Sequence, residues 1–243
     1  VNNHIKYRIL RKIISIFYKL AERRLLIIVQ NPDDLIDLGI KNSKVIFGSG
    51  IKEPDDHVLH VKKDEKSLNL LFVGRLLKSK GIDQALDIFK ELYKRNKKIK
   101  LFIAGIIELN NPDSITNEYL LKIRNIEGIE YLGQVDNMEE VYLKSNILIF
   151  PSTYREGIPR SIIEAMSYGL TIVTTNTPGC RETISGNGIL LENQPVKESV
   201  NYIESLSRKD LLSNQNKSLK IFREKFSQKK IFPQYFEIIN SRS

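Results

Sequence analysis

Cysteine, histidine and tryptophan are scarce in this sequence. Its 243 residues contain one cysteine, three histidines and no tryptophan. Cys180 therefore has no partner for a disulfide bond within the chain, which fits a reducing compartment. His4, His57 and His60 fall in a helical pattern and a charged segment, where we expect them to be exposed. No metal-ligand cluster and no Ser-His-Asp or Cys-His constellation is visible, so we predict no bound metal.

Long apolar runs and acidic residues are also in short supply. The longest apolar run near the start of the chain, residues 25–29, is far too short to cross a bilayer. Lysine and arginine number 38 against 29 aspartates and glutamates, which gives a formal net charge of +9. This basic balance favours anionic partners such as nucleotide phosphates, anionic lipid or nucleic acid.

From residue 69 onward, short apolar runs alternate with helical patterns. Each run is rich in Ile, Leu, Val or Phe, as is typical of parallel strands that are covered on both faces. The six runs span residues 69–74, 99–105, 129–133, 146–152, 170–175 and 188–192. Six βα units in series predict an α/β fold with a doubly wound, Rossmann-like parallel sheet. Ligands of such sheets bind outside the carboxyl ends of the strands.

The pattern predicts four segments. Residues 1–50 hold about one and a half βα units, which cannot bury their own sheet edges. We therefore expect them to be the tail of a second Rossmann-like domain that begins outside this sequence. Residues 51–68 form a charged linker, residues 69–208 carry the six βα units, and residues 209–243 are helical and basic.

The first helical pattern, residues 5–24, is basic and amphipathic. Its apolar positions suit a protein core, which is the interpretation that we favour. Its basic side suits an anionic membrane surface, where each basic residue contributes about 1 kcal/mol. The basic positions are Lys6, Arg8, Arg11, Lys12, Lys19, Arg23 and Arg24.

The turn after the run at 69–74 carries positive charge next to a helix start. Arg75 and Lys80 flank this loop, and Gly81 opens the following helix. A helix N-terminus beside an arginine and a lysine can bind phosphate. The string is not a Walker A loop, because Ser79 stands where that pattern needs a glycine. A solvated basic loop is an equally good interpretation of these residues alone.

The turn after the run at 146–152 places two glutamates around another helix start. Glu156 precedes a Gly-Ile-Pro turn, and Glu164 lies eight positions further on, within the helix. Backbone amides at residues 157–162 can receive a phosphate or sugar hydroxyls, and carboxylates accept hydrogen bonds from hydroxyls. A phosphate site beside two carboxylates suits a nucleotide sugar. From these residues alone, a structural interpretation is better than a ligand site. In that interpretation Glu156 is solvated and Glu164 pairs with a nearby arginine.

Several strings together resemble the retaining glycosyltransferases of family 4, which have the two-domain GT-B fold. They are GRLLKSKG at 74–81, EGIPRSIIEAM at 156–166, TPGCRETI at 177–184 and NGILL at 187–191. Glu156 and Glu164 have the E-x7-E spacing of that family. NNPDSITNEYL at 110–120 with YLGQVDN is similar to the branch that builds bacterial capsule, O-antigen and exopolysaccharide. The resemblance covers about residues 25–241, and it implies that most of the amino-terminal domain is missing from this sequence.

The resemblance implies a role for each candidate residue. Arg75 and Lys80 would hold the donor diphosphate and contribute directly to catalysis, with Gly74 at the start of their loop. Glu156 would contact the transferred sugar and take part in catalysis, and Glu164 would bind the ribose hydroxyls. Two groups of residues complete the implied donor site. Gly133, Gln134 and Val135 would flank the base, and Gly157, Ile158, Pro159, Ser161 and Ile162 would help to hold sugar and phosphate.

The activity that the resemblance implies is transfer of a hexosyl or N-acetylhexosaminyl group with retention of anomeric configuration. The donor would be a nucleotide sugar, with UDP expected from the resemblance alone, and the acceptor a polyprenyl-diphosphate-linked glycan. No cofactor and no metal are expected, since positive groups would stabilise the leaving diphosphate. The implied setting is bacterial surface polysaccharide synthesis, in the cytoplasm at the inner face of the plasma membrane.

Three other functions fit parts of the pattern. A non-catalytic nucleotide-sugar-binding module, or a fragment that needs a partner chain for activity, would use the same donor site. A nucleic-acid-binding protein is suggested only by charge and lacks a zinc pattern or a clear reading helix, so we expect no nucleic-acid partner. A hydrolase with Glu156 and Glu164 as its acid and base is disfavoured, because Arg155 and Arg160 favour ionised carboxylates.

Overall fold

In a computed structural model, which describes residues 2–55 and 67–241, the chain forms two parallel sheets of unequal size. The smaller sheet pairs β1 (Ile27–Val29) with β2 (Ser43–Val45). The larger sheet has six strands, and all its neighbours run parallel. These strands are β3 (Asn69–Val73), β4 (Lys100–Ala104), β5 (Ile129–Gly133), β6 (Ile147–Phe150), β7 (Thr171–Thr175) and β8 (Gly188–Leu191). The predicted α/β fold with a doubly wound parallel sheet is confirmed.

Helices connect the strands and begin and end at recognisable sequence signals. α2, for example, starts after Asn31, whose side chain accepts a hydrogen bond from the Asp34 amide, and it ends at Gly39. The helices are α1 (Asn2–Ala21), α2 (Pro32–Leu38), α3 (Ile82–Arg95), α4 (Asn117–Arg124), α5 (Glu139–Lys144), α6 (Arg160–Ser167), α7 (Pro195–Ser205), α8 (Arg208–Ile221) and α9 (Gln228–Asn240). A π-helical turn, Phe222–Phe226, joins α8 to α9.

The strand order of the large sheet creates a crevice at one position along its rim. The order is β5-β4-β3-β6-β7-β8, so the chain moves outward from β3 in one direction and from β6 in the other. The helices that follow these two neighbouring strands lie on opposite faces of the sheet, α3 on one and α6 on the other. Such a switch point is where open α/β sheets bind ligands. The loops after β3 and β6 are therefore the first place to look for a site.

The continuous apolar runs are explained by a core on each face of the large sheet. Leu70 and Phe72 of β3 pack against the α3 side, whereas Leu71 between them packs against the α6 side. All three side chains are fully buried. Burying such a side chain stabilises the fold by about 1.5–3 kcal/mol. Period-two alternation places both sets inside, so the central positions 70–72 of the strand are all apolar.

The last helix returns to the first segment of the chain. Ile231 and Ile238 of α9 are buried against Ile46, next to the small sheet. Ile51 also forms an isolated parallel bridge with Ser227, just before α9. α9 therefore packs against the first segment of the chain. The four predicted segments stay a prediction. Much of the predicted linker, with His57 and His60, lies outside the described residues.

The first helix carries a row of exposed apolar side chains. α1 spans Asn2–Ala21 rather than the predicted 5–24, and it contacts α2 through a 2.8 Å hydrogen bond from the Ser15 hydroxyl to the Leu38 carbonyl. Among its described side chains, the exposed apolar residues are Leu10, Ile13, Ile14, Ile16, Phe17 and Leu20. Over the described ranges, no helix combines the length and the hydropathy that crossing a bilayer requires.

Candidate functional site

The loops that follow β3 and β6 are tied together at the switch point. The Ser79 carbonyl accepts hydrogen bonds from the amides of Thr153 (2.8 Å) and Tyr154 (3.2 Å). Gly81 has φ +86°, and a Cβ atom on it would lie 2.4 Å from the Pro151 carbonyl oxygen. Only glycine allows both this left-handed turn and so close an approach. The end of the loop after β3 thus contacts the start of the loop after β6.

Lys80 and Glu156 meet at this junction as an ion pair. The Lys80 ammonium contacts a carboxylate oxygen of Glu156, and the two side chains are only 12% and 15% exposed. The ammonium also lies 5.7 Å and 5.6 Å from the ring centroids of Phe150 and Tyr154. A positive charge is therefore held at the rim of the sheet in a largely desolvated setting, where it acts more strongly on a ligand than in water.

Arg75 lies at the same rim but in a more open position. Its guanidinium donates a 2.7 Å hydrogen bond to Glu108, and its side chain is 53% exposed. Asn111 donates to the same Glu108 oxygen at 2.8 Å. Each of the two predicted phosphate ligands, Arg75 and Lys80, is thus paired with a carboxylate. No feature of the sequence pointed to Glu108, which comes from the loop after β4.

Asp113 braces the basic loop from the same neighbouring segment. Its carbonyl accepts from the Lys78 amide at 2.9 Å, and its carboxylate accepts from the Ser79 amide at 3.2 Å and from the Ser79 hydroxyl. The loop before Lys80 is therefore held through its backbone. Sequence reasoning did not find this role, although Asp113 lies in the NNPDS string that carries part of the family resemblance.

The amides after Glu156 are less available than the sequence predicts. The Ile158 amide donates to the Gln30 side chain at 2.9 Å, and the Ile162 amide donates to the Pro159 carbonyl at 3.1 Å. Pro159, which we expected at the first helical position, is the N-cap residue of α6, so the helix begins one position later, at Arg160. Within the described ranges, the amides of Arg160 and Ser161 have no hydrogen-bond partner. They form the positive end of the α6 dipole, which favours an anion.

The small sheet and α2 hold the Glu156 loop from the other side. The Asn31 side chain donates to the Glu156 carbonyl at 3.1 Å, next to the Gln30 contact with Ile158. Arg155 binds Asp34 at 3.2 Å and also contacts Asp37. Gln30 and Asn31 follow β1 directly. Their position at a strand end could have indicated that they lie near the site, but the sequence analysis did not use it. The position of Glu156 thus depends on residues more than 120 positions away.

The turn at 177–183 packs against the back of the same loop. Gly179 has φ +87°, and a Cβ atom on it would lie 1.7 Å from the Gly157 carbonyl oxygen. The Gly179 amide donates to the Glu182 carboxylate at 2.7 Å. Cys180 is fully buried, and burial raises the pKa of its thiol above the ordinary value. A protonated, inaccessible thiol of this kind has a structural role.

Glu164 faces the site from the second turn of α6. Its two carboxylate oxygens accept hydrogen bonds from Arg160 Nε at 2.7 Å and from the Tyr142 hydroxyl at 3.0 Å. Its side chain remains 25% exposed. The arginine pairing expected of a structural glutamate is therefore present. The contact with Tyr142 was not predicted.

The remaining predicted residues lie at strand ends of the large sheet. Gly74 follows β3 directly, and Gly133 ends β5, where its carbonyl accepts from the Gly105 amide at 2.8 Å. Gln134 is exposed, and Val135 packs half-buried on the α6 side. β5 is one of the two edge strands of the large sheet, separated from β3 by β4. In the part of the chain with described coordinates, no group of three or more His, Cys, Asp or Glu is arranged to hold a metal ion.

The fold and the site together define a class of protein: a doubly wound α/β domain with lysine, arginine and free helix amides at its switch point. The sequence profile described as "Glycosyl transferases group 1" matches residues 56–227. The chain belongs to this glycosyl transferase family. Its structural neighbours are GT-B glycosyltransferases, which confirms the fold part of the resemblance.

Individual relatives include bacterial glycosyltransferases. The chain is 29% identical over 171 residues to the capsular polysaccharide biosynthesis glycosyltransferase CapM of Staphylococcus aureus, covering 66% of the chain and 44% of the relative. It is 28% identical over 207 residues to the N,N'-diacetylbacillosaminyl-diphospho-undecaprenol alpha-1,3-N-acetylgalactosaminyltransferase of Campylobacter jejuni, covering 76% of the chain and 51% of the relative. The chain thus spans about half the length of these curated relatives.

Solved structures of similar fold include complexes with UDP. The Anabaena protein Alr3699/HepE, crystallised with UDP and glucose, superposes with a TM-score of 0.78 at 19% identity, covering 95% of the chain and 67% of that protein. The pneumococcal O-GlcNAc transferase GtfA, crystallised with UDP and GlcNAc, gives a TM-score of 0.75 at 19% identity, covering 92% of the chain and 46% of that protein. At this level of identity, the similarity establishes the fold alone.

Proposed function

We propose that the chain is the donor-binding part of a retaining glycosyltransferase. It would transfer a sugar from a UDP-sugar to a glycan on a polyprenyl diphosphate, in the synthesis of a bacterial surface polysaccharide. The observation that carries this proposal is the junction at the switch point. There Lys80 and Glu156 lie together, with the free amides of Arg160 and Ser161 close along the chain.

The donor is proposed to lie along the rim from β5 to α6. Its diphosphate would bind Lys80, Arg75 and the two free amides, because these are the positive groups of the site. Its ribose would reach Glu164 and its sugar would reach Glu156, which accept hydrogen bonds from hydroxyls. The base would lie near Gly133, Gln134 and Val135. Gly74 would let the backbone approach, and Gly157, Ile158, Pro159 and Ile162 would shape the loop around the sugar.

The chemistry that we propose needs charge stabilisation rather than a nucleophile. The acceptor hydroxyl would attack the anomeric carbon from the face that the diphosphate leaves. A carbon–oxygen bond to the acceptor would form as the bond to the phosphate breaks, and the hydroxyl proton would pass to the departing phosphate. Lys80 and Arg75 would stabilise the charge that develops on the leaving group, where preorganised cations act most strongly. We propose that no metal and no cofactor take part.

The acceptor and the location follow from different observations. The Campylobacter relative is named for an undecaprenol-linked acceptor, which supports a lipid-linked glycan here. The exposed Lys12, Lys19 and Arg23 accompany the exposed apolar side chains of α1. A helix of this kind can bind an anionic membrane surface. We therefore propose a cytoplasmic protein that works at the inner face of the plasma membrane.

Calorimetric titration with UDP, UDP-GlcNAc and UDP-GalNAc tests the donor proposal. We expect saturable binding, weakened about tenfold by Arg75→Ala, because a charge-assisted hydrogen bond to phosphate is lost. Arg95→Ala is the matched control. Arg95 is 56% exposed and paired with Glu204, as Arg75 is 53% exposed and paired with Glu108, but it lies at the end of α3. Equal effects of both substitutions, or no binding to the folded chain, would contradict the proposed site.

A further inference from the structure

The Glu164 carboxylate is held at both of its oxygens by side chains. The Tyr142 hydroxyl donates to one oxygen at 3.0 Å, and Arg160 Nε donates to the other at 2.7 Å. Arg160 is one helical turn before Glu164 in α6, whereas Tyr142 comes from α5. A carboxylate offers about four lone-pair positions, so two remain for further donors. The orientation of Glu164 is thus set before any ligand arrives.

The two side chains that hold Glu164 differ in how firmly they are fixed themselves. The Arg160 side chain is 71% exposed, so water competes for its contact. Tyr142 is only 1% exposed, and its ring stacks on Tyr168 with centroids 5.1 Å apart and planes 17° from parallel. The Tyr168 hydroxyl in turn donates to Glu139 at 3.2 Å. Of the two residues that bind Glu164, Tyr142 is therefore the more rigidly fixed and Arg160 the less.

The Tyr142 hydroxyl stays protonated and therefore acts as a hydrogen-bond donor to Glu164. Burial, followed by the negative charge of Glu164, raises the pKa of Tyr142 well above the ordinary value. The hydroxyl therefore keeps its proton at neutral pH and can only donate to the carboxylate. A buried hydrogen bond of this kind fixes the direction of the lone pairs that Glu164 still has free. Two free lone-pair positions on one oriented carboxylate match the two neighbouring hydroxyls of a ribose.

We infer that Tyr142 is a positioning residue, which aims Glu164 at the 2′- and 3′-hydroxyls of the donor ribose and so makes the site select ribonucleotides. The inference rests on the proposed function, because it assumes that the ribose reaches Glu164. Tyr142 itself does not touch the ligand. Its removal therefore changes the preference for ribose more than it changes the binding of the diphosphate.

Binding of UDP, 2′-deoxy-UDP and 3′-deoxy-UDP to the 243-residue chain tests this role. We expect the wild-type chain to prefer UDP about tenfold over one or both deoxy analogues, as the loss of a charge-assisted hydrogen bond implies. Tyr142→Phe should reduce this preference to about threefold or less, because the Glu164 carboxylate is then free to turn. Tyr168→Phe is the matched control. It removes a hydroxyl from the same stack without touching Glu164, so the full preference should remain.

A second substitution keeps the test decisive if Tyr142→Phe is poorly folded. Glu164→Gln should remove the preference for UDP, and adding Tyr142→Phe to it should change the ratio no further. A full preference in Tyr142→Phe or in Glu164→Gln would overturn the inference. UDP binding without any ribose preference in the wild-type chain would overturn the roles of Tyr142 and Glu164 and leave the diphosphate site standing. Absence of UDP binding would overturn the proposed function as well.

Discussion

Replacing Lys80 by alanine is expected to weaken UDP binding about a hundredfold and to destabilise the fold. The binding loss follows from the position of the ammonium, which is 12% exposed and lies beside two aromatic rings. A charge in such a setting interacts with a diphosphate more strongly than a solvated one, so its removal costs more than that of Arg75. Calorimetric titration with UDP measures this effect.

The loss of stability has a separate cause, the Glu156 carboxylate that Lys80→Ala leaves unpaired. Removing one partner of a buried ion pair costs about 3 to 5 kcal/mol, because the remaining charge stays desolvated. The double variant Lys80→Ala/Glu156→Ala removes both charges and should recover most of this stability. It should not recover UDP binding. Urea denaturation of the single and double variants measures the difference in the free energy of unfolding.

Lys78→Ala is the control for Lys80→Ala. Lys78 is exposed and lies two positions earlier in the same loop, where its amide rather than its side chain is held by Asp113. We expect unchanged stability and a change in UDP affinity of less than about threefold, as befits an exposed charge. An equal loss of UDP binding in both variants would mean that only the general basicity of the loop matters. The proposed role of Lys80 would then be wrong.

Replacing Glu156 by glutamine should separate binding of the sugar from binding of the nucleotide. In the proposed complex, Glu156 accepts hydrogen bonds from the transferred sugar, so a UDP-sugar gains affinity from it that UDP does not. Hydrogen bonds to a charged group are worth about 1.5–3 kcal/mol, which corresponds to about ten- to a hundredfold in affinity. Glutamine keeps an uncharged acceptor, so we expect Glu156→Gln to reduce the advantage of the UDP-sugar over UDP by about tenfold.

UDP itself should bind Glu156→Gln at least as tightly as it binds the wild-type chain. The carboxylate of Glu156 holds the Lys80 ammonium in the ligand-free chain, so a diphosphate has to compete with it. Glutamine removes this competing charge and keeps the shape of the side chain. Titration of both ligands into the variant gives the two affinities. Parallel losses for UDP and UDP-sugar would indicate that Glu156 only maintains the loop.

Glu182→Gln is the control for Glu156→Gln. Its carboxylate accepts from the Gly179 amide in the turn that packs against the Glu156 loop. A glutamine oxygen can accept the same hydrogen bond, so we expect both affinities to stay within about twofold of the wild-type values. If Glu182→Gln also removed the advantage of the UDP-sugar, sugar binding would depend on the conformation of the whole loop and not on the Glu156 side chain.

The strands of the large sheet were predictable because most of them are buried on both faces. The run at 69–74 corresponds to β3 at Asn69–Val73, and the run at 129–133 matches β5 at both ends. Continuous apolar character left no alternative to a covered parallel sheet. The first helix was predicted three residues too far along the chain, since no acidic residue in its first turn marks where it starts.

Only those residues of the candidate site that follow a strand could be predicted from the sequence. Arg75, Lys80 and Glu156 were predicted to share a site because each follows a predicted strand, because parallel strands end at one rim, and because their strings resemble the family. Their partners were not found, since packing alone brings them there. Gln30 meets the Ile158 amide across 128 positions of sequence. Tyr142 was not among the predicted site residues, because its hydroxyl contact exists only once α5 and α6 are packed together.

A crystal structure of the chain with UDP would test the central claim most directly, namely that the switch point between β3 and β6 is the donor site. The account predicts that the diphosphate contacts Lys80 and the amides of Arg160 and Ser161, with the ribose hydroxyls within hydrogen-bond distance of Glu164. UDP bound elsewhere on the chain, or at the rim with its diphosphate away from Lys80, would contradict it.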